Sequence, residues 1–235
     1  MDTRRLEAFS DGVFAVAITL LAFSLAIPAL PAGDGTGGLA GALGDEWPSY
    51  AAFAISFLVI GIIWLNHHWV FAVARSVDGS LVLTNLSLLA TVTTIPFATG
   101  LFARYLVGGG HNAHVAAAVY SAVMVAMSVA FLGLFLVVHG QAGTFATRAQ
   151  RRRAAARFGS GLPVYIAACG ISFVSAPATL ALHGVMASFY AVIALGHLPQ
   201  AATTSEPADP GRPLEVGGRG RQAPAAPVPP PGEAG

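Results

Sequence analysis

Lysine is absent from this chain, and cysteine occurs once, as Cys169 inside an apolar run. A lone cysteine excludes a disulfide framework and a cysteine-based metal cluster. Charge is scarce too: 10% of the residues are charged and 55% are apolar, which excludes an ordinary soluble domain and identifies an integral membrane protein. With no lysine, arginine carries all the permanent positive charge, and Ala and Gly are abundant, the mark of codon bias in a GC-rich bacterial genome. A net charge of +1, with arginines grouped by loop and not interleaved with aromatics, gives no case for nucleic acid. Catalytic patterns are missing as well. There is no Ser-His-Asp order and no His-Glu-x-x-His, and Gly108-Gly109-Gly110-His111 lacks the lysine and helix start of a phosphate loop. Neither an enzyme nor a cofactor is expected.

What the chain does have is long apolar runs. About 20 apolar residues cross a bilayer as a helix, and the sequence divides into six candidates, over 4–30, 50–73, 80–105, 114–138, 161–175 and 178–197. Arg4 and Arg5 before the first run could suggest a signal peptide. The run is long and more follow, so it reads as a retained first helix. The last two spans come from dividing a stretch too long for one crossing at Pro177, where a missing N–H favours a break. Beyond these, 199–235 is rich in Pro, Gly and Ala and reads as a disordered tail, and the Gly-rich segment 33–44 reads as a flexible outer loop.

Alternate loops carry the arginines: Arg4 and Arg5, then Arg75, then Arg148, Arg151, Arg152, Arg153 and Arg157. The intervening loops hold Asp34, Asp45 and Glu46, with only Arg104 near a span end. By the positive-inside rule both termini are cytoplasmic, in a multi-pass protein of the cell membrane.

Several polar groups fall at one depth. Ser10 and Asp11 open the first span, Asn66, His67 and His68 lie about two turns before the end of the second, and Asn85 lies about one turn into the third. An ionisable group in lipid must be paired or line water, so a buried Asp11 with Arg5 nearby, the histidines and the asparagines reads as a hydrogen-bonded network joining three helices. Each residue taken alone also fits a structural role, as a helix cap, an interfacial histidine or, for Trp64 and Trp69, an aromatic belt. Whether the network senses pH stays open, because histidine titrates near neutrality. A metal site is disfavoured: adjacent histidines on a helix diverge by about 100°.

On a helical wheel with Asp11 at zero, Gly12, Val16, Thr19, Leu20, Phe23 and Ile27 gather near 130°, far from the carboxylate. The same stripe would suit core or lipid contact.

Arg5-x-x-x-Phe9-Ser10-Asp11-Gly12, running into Val13-Phe14-Ala15-Val16-Ala17-Ile18-Thr19-Leu20-Leu21, resembles the first-helix signature of the transmembrane protein 175 family of potassium channels, in its prokaryotic branch. Ser56 through Trp64-Leu65-Asn66-His67-His68 and Thr84-Asn85-Leu86 with Ile95-Pro96-Phe97 extend the resemblance, which covers residues 4 to about 198. It implies an all-α membrane protein with six helices per subunit, assembled as a homotetramer, the first helix lining a central potassium pore. It further implies a constriction of bulky side chains in place of a carbonyl filter, which falls on Val16, Thr19, Leu20 and Phe23. Arg5, Phe9, Ser10, Asp11, Asn66, His67, His68 and Asn85 are implied to fix the pore helix. A proton-conducting channel, or a proton-coupled transporter using Asp11, His67 and His68, is the rival reading. Such transporters show internal repeats and midplane sites, and here no repeat is evident and the polar groups lie off centre.

Overall fold

The computed structural model describes residues 2–25, 27–28, 38–145 and 147–196. The tail at 199–235, the segment 29–37 and the end of the last expected span lie outside the described residues.

Helix α1 (Thr3–Leu20) starts where the Asp2 carboxylate accepts the Arg4 N–H and continues as a 3₁₀ turn, Leu21–Ser24. It stops short of the expected 4–30, with Leu25 already extended at ψ 115°. The Ser24 hydroxyl donates to the Leu21 carbonyl at 2.7 Å, competing with the next helical bond, and Pro28 can offer no N–H to prolong the ladder. Part of the expected flexible loop is instead helix α2 (Gly38–Asp45). Its Leu39, Ala40, Ala42 and Leu43 are good helix formers, and Gly38 enters at a positive φ of 51° that a β-carbon would resist.

Helix α3 (Trp47–Phe71) carries Pro48 in its first turn, where no N–H is needed, and α4 (Gly79–Leu106) is capped by Asp78. Helix α5 (Gly110–Gln141) is longer than the expected 114–138. Helix α6 (Arg148–Phe158) was not anticipated; a capping box between Thr147 and Gln150 nucleates it. Then come α7 (Gly161–Ser172) and α8 (Ala176–Gly196), with the break at Phe173–Ser175 and Pro177 in the first turn of α8. Among the described residues five of these helices are each long and apolar enough to cross a membrane, and the count rises to six if α6 and α7, bent by 41°, are taken as one broken span. Helix α7 alone, at about 18 Å, is shorter than a hydrocarbon core of roughly 30 Å.

The Asp78 cap carries a pH dependence. Its carboxylate accepts the Leu81 N–H at 2.8 Å and the Ser80 hydroxyl at 3.0 Å. These bonds, the backbone one foremost, hold its carboxyl below the ordinary 3.8. A depressed folded-state value means the cap contributes fully above the unfolded pKa and is lost as pH falls through the folded one. Amide exchange at Leu81 should therefore accelerate in acid below about pH 4 relative to mid-helix amides. Asp78→Ala should abolish that acid dependence.

Helices α4 and α5 form the spine; α1 and α3 lean on α4, while α7 and α8 pack on α5 and α3. The buried residues of α4 repeat at spacings of four and three: Leu81, Asn85, Leu88, Val92, Ile95, Thr99 and Phe102. Those of α5 do the same, through Ala113, Ala117, Tyr120, Met124, Met127, Phe131, Leu134 and Val138. This is the heptad pattern of knobs-into-holes packing. Asn85 and Thr99 are the polar members of the α4 seam, and each carries a hydrogen-bond layer.

Candidate functional site

The first layer is a chain of donors running across three helices. The His67 Nε2–H donates to Asn85 Oδ1 at 2.9 Å, Asn85 Nδ2 donates to Ser10 Oγ at 3.0 Å, and the Ser10 hydroxyl donates to the Leu6 carbonyl at 2.9 Å. All three side chains are fully buried. The imidazole is held by its rings as well, stacked on Phe71 at 4.3 Å and met edge-on by Phe14 at 5.4 Å. Each donor in this chain meets an acceptor, which lowers the cost of burying polar groups in a lipid-facing bundle, while the His67 Nδ1 is buried without a hydrogen-bond partner.

Alongside it, α1 and α3 run antiparallel and are joined by a two-rung ladder. Trp64 Nε1–H donates to Asp11 Oδ1 at 2.9 Å, and one turn away His68 Nδ1–H donates to Glu7 Oε1 at 2.9 Å. Helical spacing explains the match, because Glu7 and Asp11 share one face of α1 as Trp64 and His68 share one face of α3. Asp11 is exposed on the isolated chain and not buried among the polar groups as expected, so Trp64, not Arg5, is its partner. Arg5 itself is exposed, and so is Phe9. Asn66 also departs from expectation. One residue from His67 is about 100° of rotation, and that turns Asn66 out of the network into an apolar groove between α3, α5, α7 and α8.

The other face of α1 is bare. Leu6, Ser10, Phe14, Ala17 and Leu21 are buried against the chain's own helices, whereas Val16, Leu20 and Phe23 are 55%, 41% and 86% exposed and Ile27 is 94% exposed. Thr19 lies on the same bare stripe and donates its hydroxyl to the Val16 carbonyl at 2.8 Å, which leaves its oxygen lone pairs directed away from the helix. Continuing from Leu20 and Phe23, a cleft of about 580 Å³ runs to Thr93, Phe97 and Arg104 on α4.

A second buried layer was not anticipated. Ser56 Oγ lies 2.7 Å from Thr99 Oγ1 and 2.9 Å from the Tyr120 hydroxyl, tying α3 to α4 and α5. His183 of α8 abuts Tyr120 and stacks on Tyr165, with its Nδ1–H donated to the Thr179 carbonyl at 2.8 Å. Hydroxyl residues give little warning in a sequence, since each can bond its own helix. Among the described residues no three His, Cys, Asp or Glu side chains gather as a metal ion would require.

Comparison with known proteins follows this geometry. The sequence model of the family described as endosomal/lysosomal potassium channel TMEM175 matches residues 5–96, which hold the ladder and the first polar layer. A potassium channel of Streptomyces collinus is 48% identical over 192 residues, spanning 80% of this chain and 91% of the relative. The crystal structure of a lysosomal potassium-selective channel TMEM175 homolog from Chamaesiphon minutus superposes with a TM-score of 0.71 at 35% identity, covering 82% of this chain and 97% of that one. The mouse endosomal/lysosomal proton channel TMEM175 is 35% identical over 112 residues, only 22% of its length. The all-helical architecture, the ordered motifs of the first three membrane helices and these near full-length matches agree: the chain is a membrane ion channel, not an enzyme, and belongs to the TMEM175 family.

Proposed function

We propose that the protein is a passive potassium channel of the cell membrane, a homotetramer with both termini cytoplasmic and with α1 of each subunit lining one central pore. The observation that carries this reading is the division of α1 into a buried face and a bare stripe of Val16, Thr19, Leu20 and Phe23. Large apolar side chains left uncovered along a membrane helix suit lipid, a partner subunit or a pore, and the likeness to a solved potassium-selective channel supports the pore. Four copies of that stripe form a hydrophobic constriction where an ion sheds part of its water, a heavier penalty for sodium than for potassium. The Thr19 oxygens replace some of the lost hydration. Support also comes from the potassium channel names of the Streptomyces collinus and Chamaesiphon minutus proteins.

The mouse relative is named a proton channel, which keeps proton conduction as a second reading. A relay through the buried network has no outlet, since the donor chain from His67 ends on the Leu6 carbonyl within α1. Protons would instead share the constriction. Purified protein in liposomes with a potassium gradient should pass potassium without any sodium or proton gradient. Flux strictly dependent on a proton gradient would overturn the channel reading in favour of coupled transport.

The ladder predicts a division of labour. Asp11→Asn keeps the shape but weakens the charge-assisted bond to Trp64, and should cost about 1 kcal/mol of thermal stability in detergent. The reversal potential under bi-ionic potassium and sodium should stay at the wild-type value. A large shift in ion preference would place Asp11 in the filter and not behind it.

A further inference from the structure

The groove that receives Asn66 is used by nothing described so far. It holds about 510 Å³ between α3, α5, α7 and α8, with walls that include Val59, Ile62, Met127, Phe131 and Ile193. Along α3 it reaches from Val59 to Trp69, roughly 15 Å at the helical rise, which suits an extended hydrocarbon chain and not a compact ligand. At its rim Trp69, Phe189 and Ile193 are exposed. Asn66 lines the groove with its side chain only partly covered, a polar amide in a mostly apolar trough that also carries the hydroxyls of Ser128, Ser160, Tyr165 and Tyr190. Such a group is costly in lipid unless something polar lies opposite it.

The second observation is charge. Helix α6 ends just before Ser160 and Gly161, which line the groove. Arg148, Arg151, Arg152 and Arg153 on that helix are all exposed, and the sequence contains no Asp or Glu anywhere from 79 to 205. A basic helix leading directly into an apolar trough, without acidic partners in the surrounding chain, is complementary to one kind of molecule: an anionic head on a hydrocarbon tail.

We infer that this groove binds an anionic phospholipid, its acyl chain lying between α3, α5, α7 and α8, its ester region at the Asn66 amide and its phosphate at the α6 arginines. Juxtamembrane arginines attract anionic headgroups strongly enough for three of them to change occupancy by at least about tenfold.

The test uses the full chain reconstituted in vesicles of equal phosphatidylglycerol and phosphatidylcholine, extracted mildly, with retained lipid identified by native mass spectrometry. Wild-type protein should retain phosphatidylglycerol over phosphatidylcholine by about tenfold or more. The triple variant Arg151→Gln, Arg152→Gln, Arg153→Gln should lose the preference while keeping the wild-type elution profile and flux. Ser128→Phe, which fills the groove, should lose the retained lipid itself; Ile193→Trp at the rim serves if that variant does not fold. Absence of a headgroup preference in the wild type, or a preference that survives the arginine substitutions, would overturn the inference. So would lipid that appears only after the chain is truncated beyond Leu198, because the trough would then belong to the protein's own tail. None of these outcomes depends on which ion the channel conducts.

Discussion

Replacing Asn85 with alanine should lower the unfolding free energy by about 2–3 kcal/mol, the largest loss expected from any single polar substitution in the chain. Asn85 is the middle of a relay, so its removal strands the His67 Nε2–H, fully buried between Phe14 and Phe71, and takes from Ser10 the bond it accepted. Interhelical hydrogen bonds in membranes contribute only about 0.6 kcal/mol on average, because the unfolded chain finds other partners. Here the orphaned donor has no room to do so, and the desolvation cost outweighs that average. The companion variants make the assignment sharp. Asn85→Leu with His67→Phe removes both polar partners together and should recover most of the loss. Asn66→Ala, turned about 100° away from His67 on α3 and outside the relay, should change stability by less than about 0.5 kcal/mol. The measurement is the midpoint of unfolding in mixed micelles; a single Asn85 variant as stable as wild type would mean that the relay carries no weight.

Val16→Ser should lower the potassium over sodium permeability ratio by at least about fivefold, which is roughly 1 kcal/mol between the two ions. That corresponds to a shift of about 40 mV in the bi-ionic reversal potential. Val16 and Leu20 stand one turn apart on the bare stripe, with the Thr19 hydroxyl between them already committed to the Val16 carbonyl. Serine at position 16 removes bulk and adds a hydroxyl, so an ion keeps more of its water in passing and sodium loses its handicap. Because the residue makes little contact within its own chain, the substitution should leave folding intact. An unchanged reversal potential in a variant of normal conductance would take Val16 out of the constriction.

Much of this was legible in the sequence because polar residues stand out against an apolar background. Ser10, His67 and Asn85 share one depth in the sequence and are hydrogen-bonded in the structure. Depth groups Asn66 with them too, although the 100° step between neighbouring helical residues separates Asn66 from His67 just as it separates the two histidines. Asp11 was expected inside because an unpaired carboxylate in lipid is costly; the indole N–H of Trp64 meets that need at an exposed position. The packing seams were not legible. A helix that faces lipid on one side and protein on the other is apolar on both, so the periodicity that betrays a soluble helix is erased. Helix α6 is hidden differently: its arginines look like loop charge, and the Thr147 and Gln150 capping box that starts it is the one signal of a helix.

The two polar layers on α4 have a consequence for how the chain can change length. Asn85 and Thr99 stand two heptads apart on one seam, one bonded toward α1 and α3, the other toward α3. Inserting or deleting one residue between them would swing one layer about 100° out of phase with the other. No rigid-body adjustment of the helix could restore both, so this stretch of the protein should tolerate many apolar exchanges and almost no indels. Each layer acts as an index mark against the other, fixing the length of the third membrane helix more strictly than the thickness of the bilayer does.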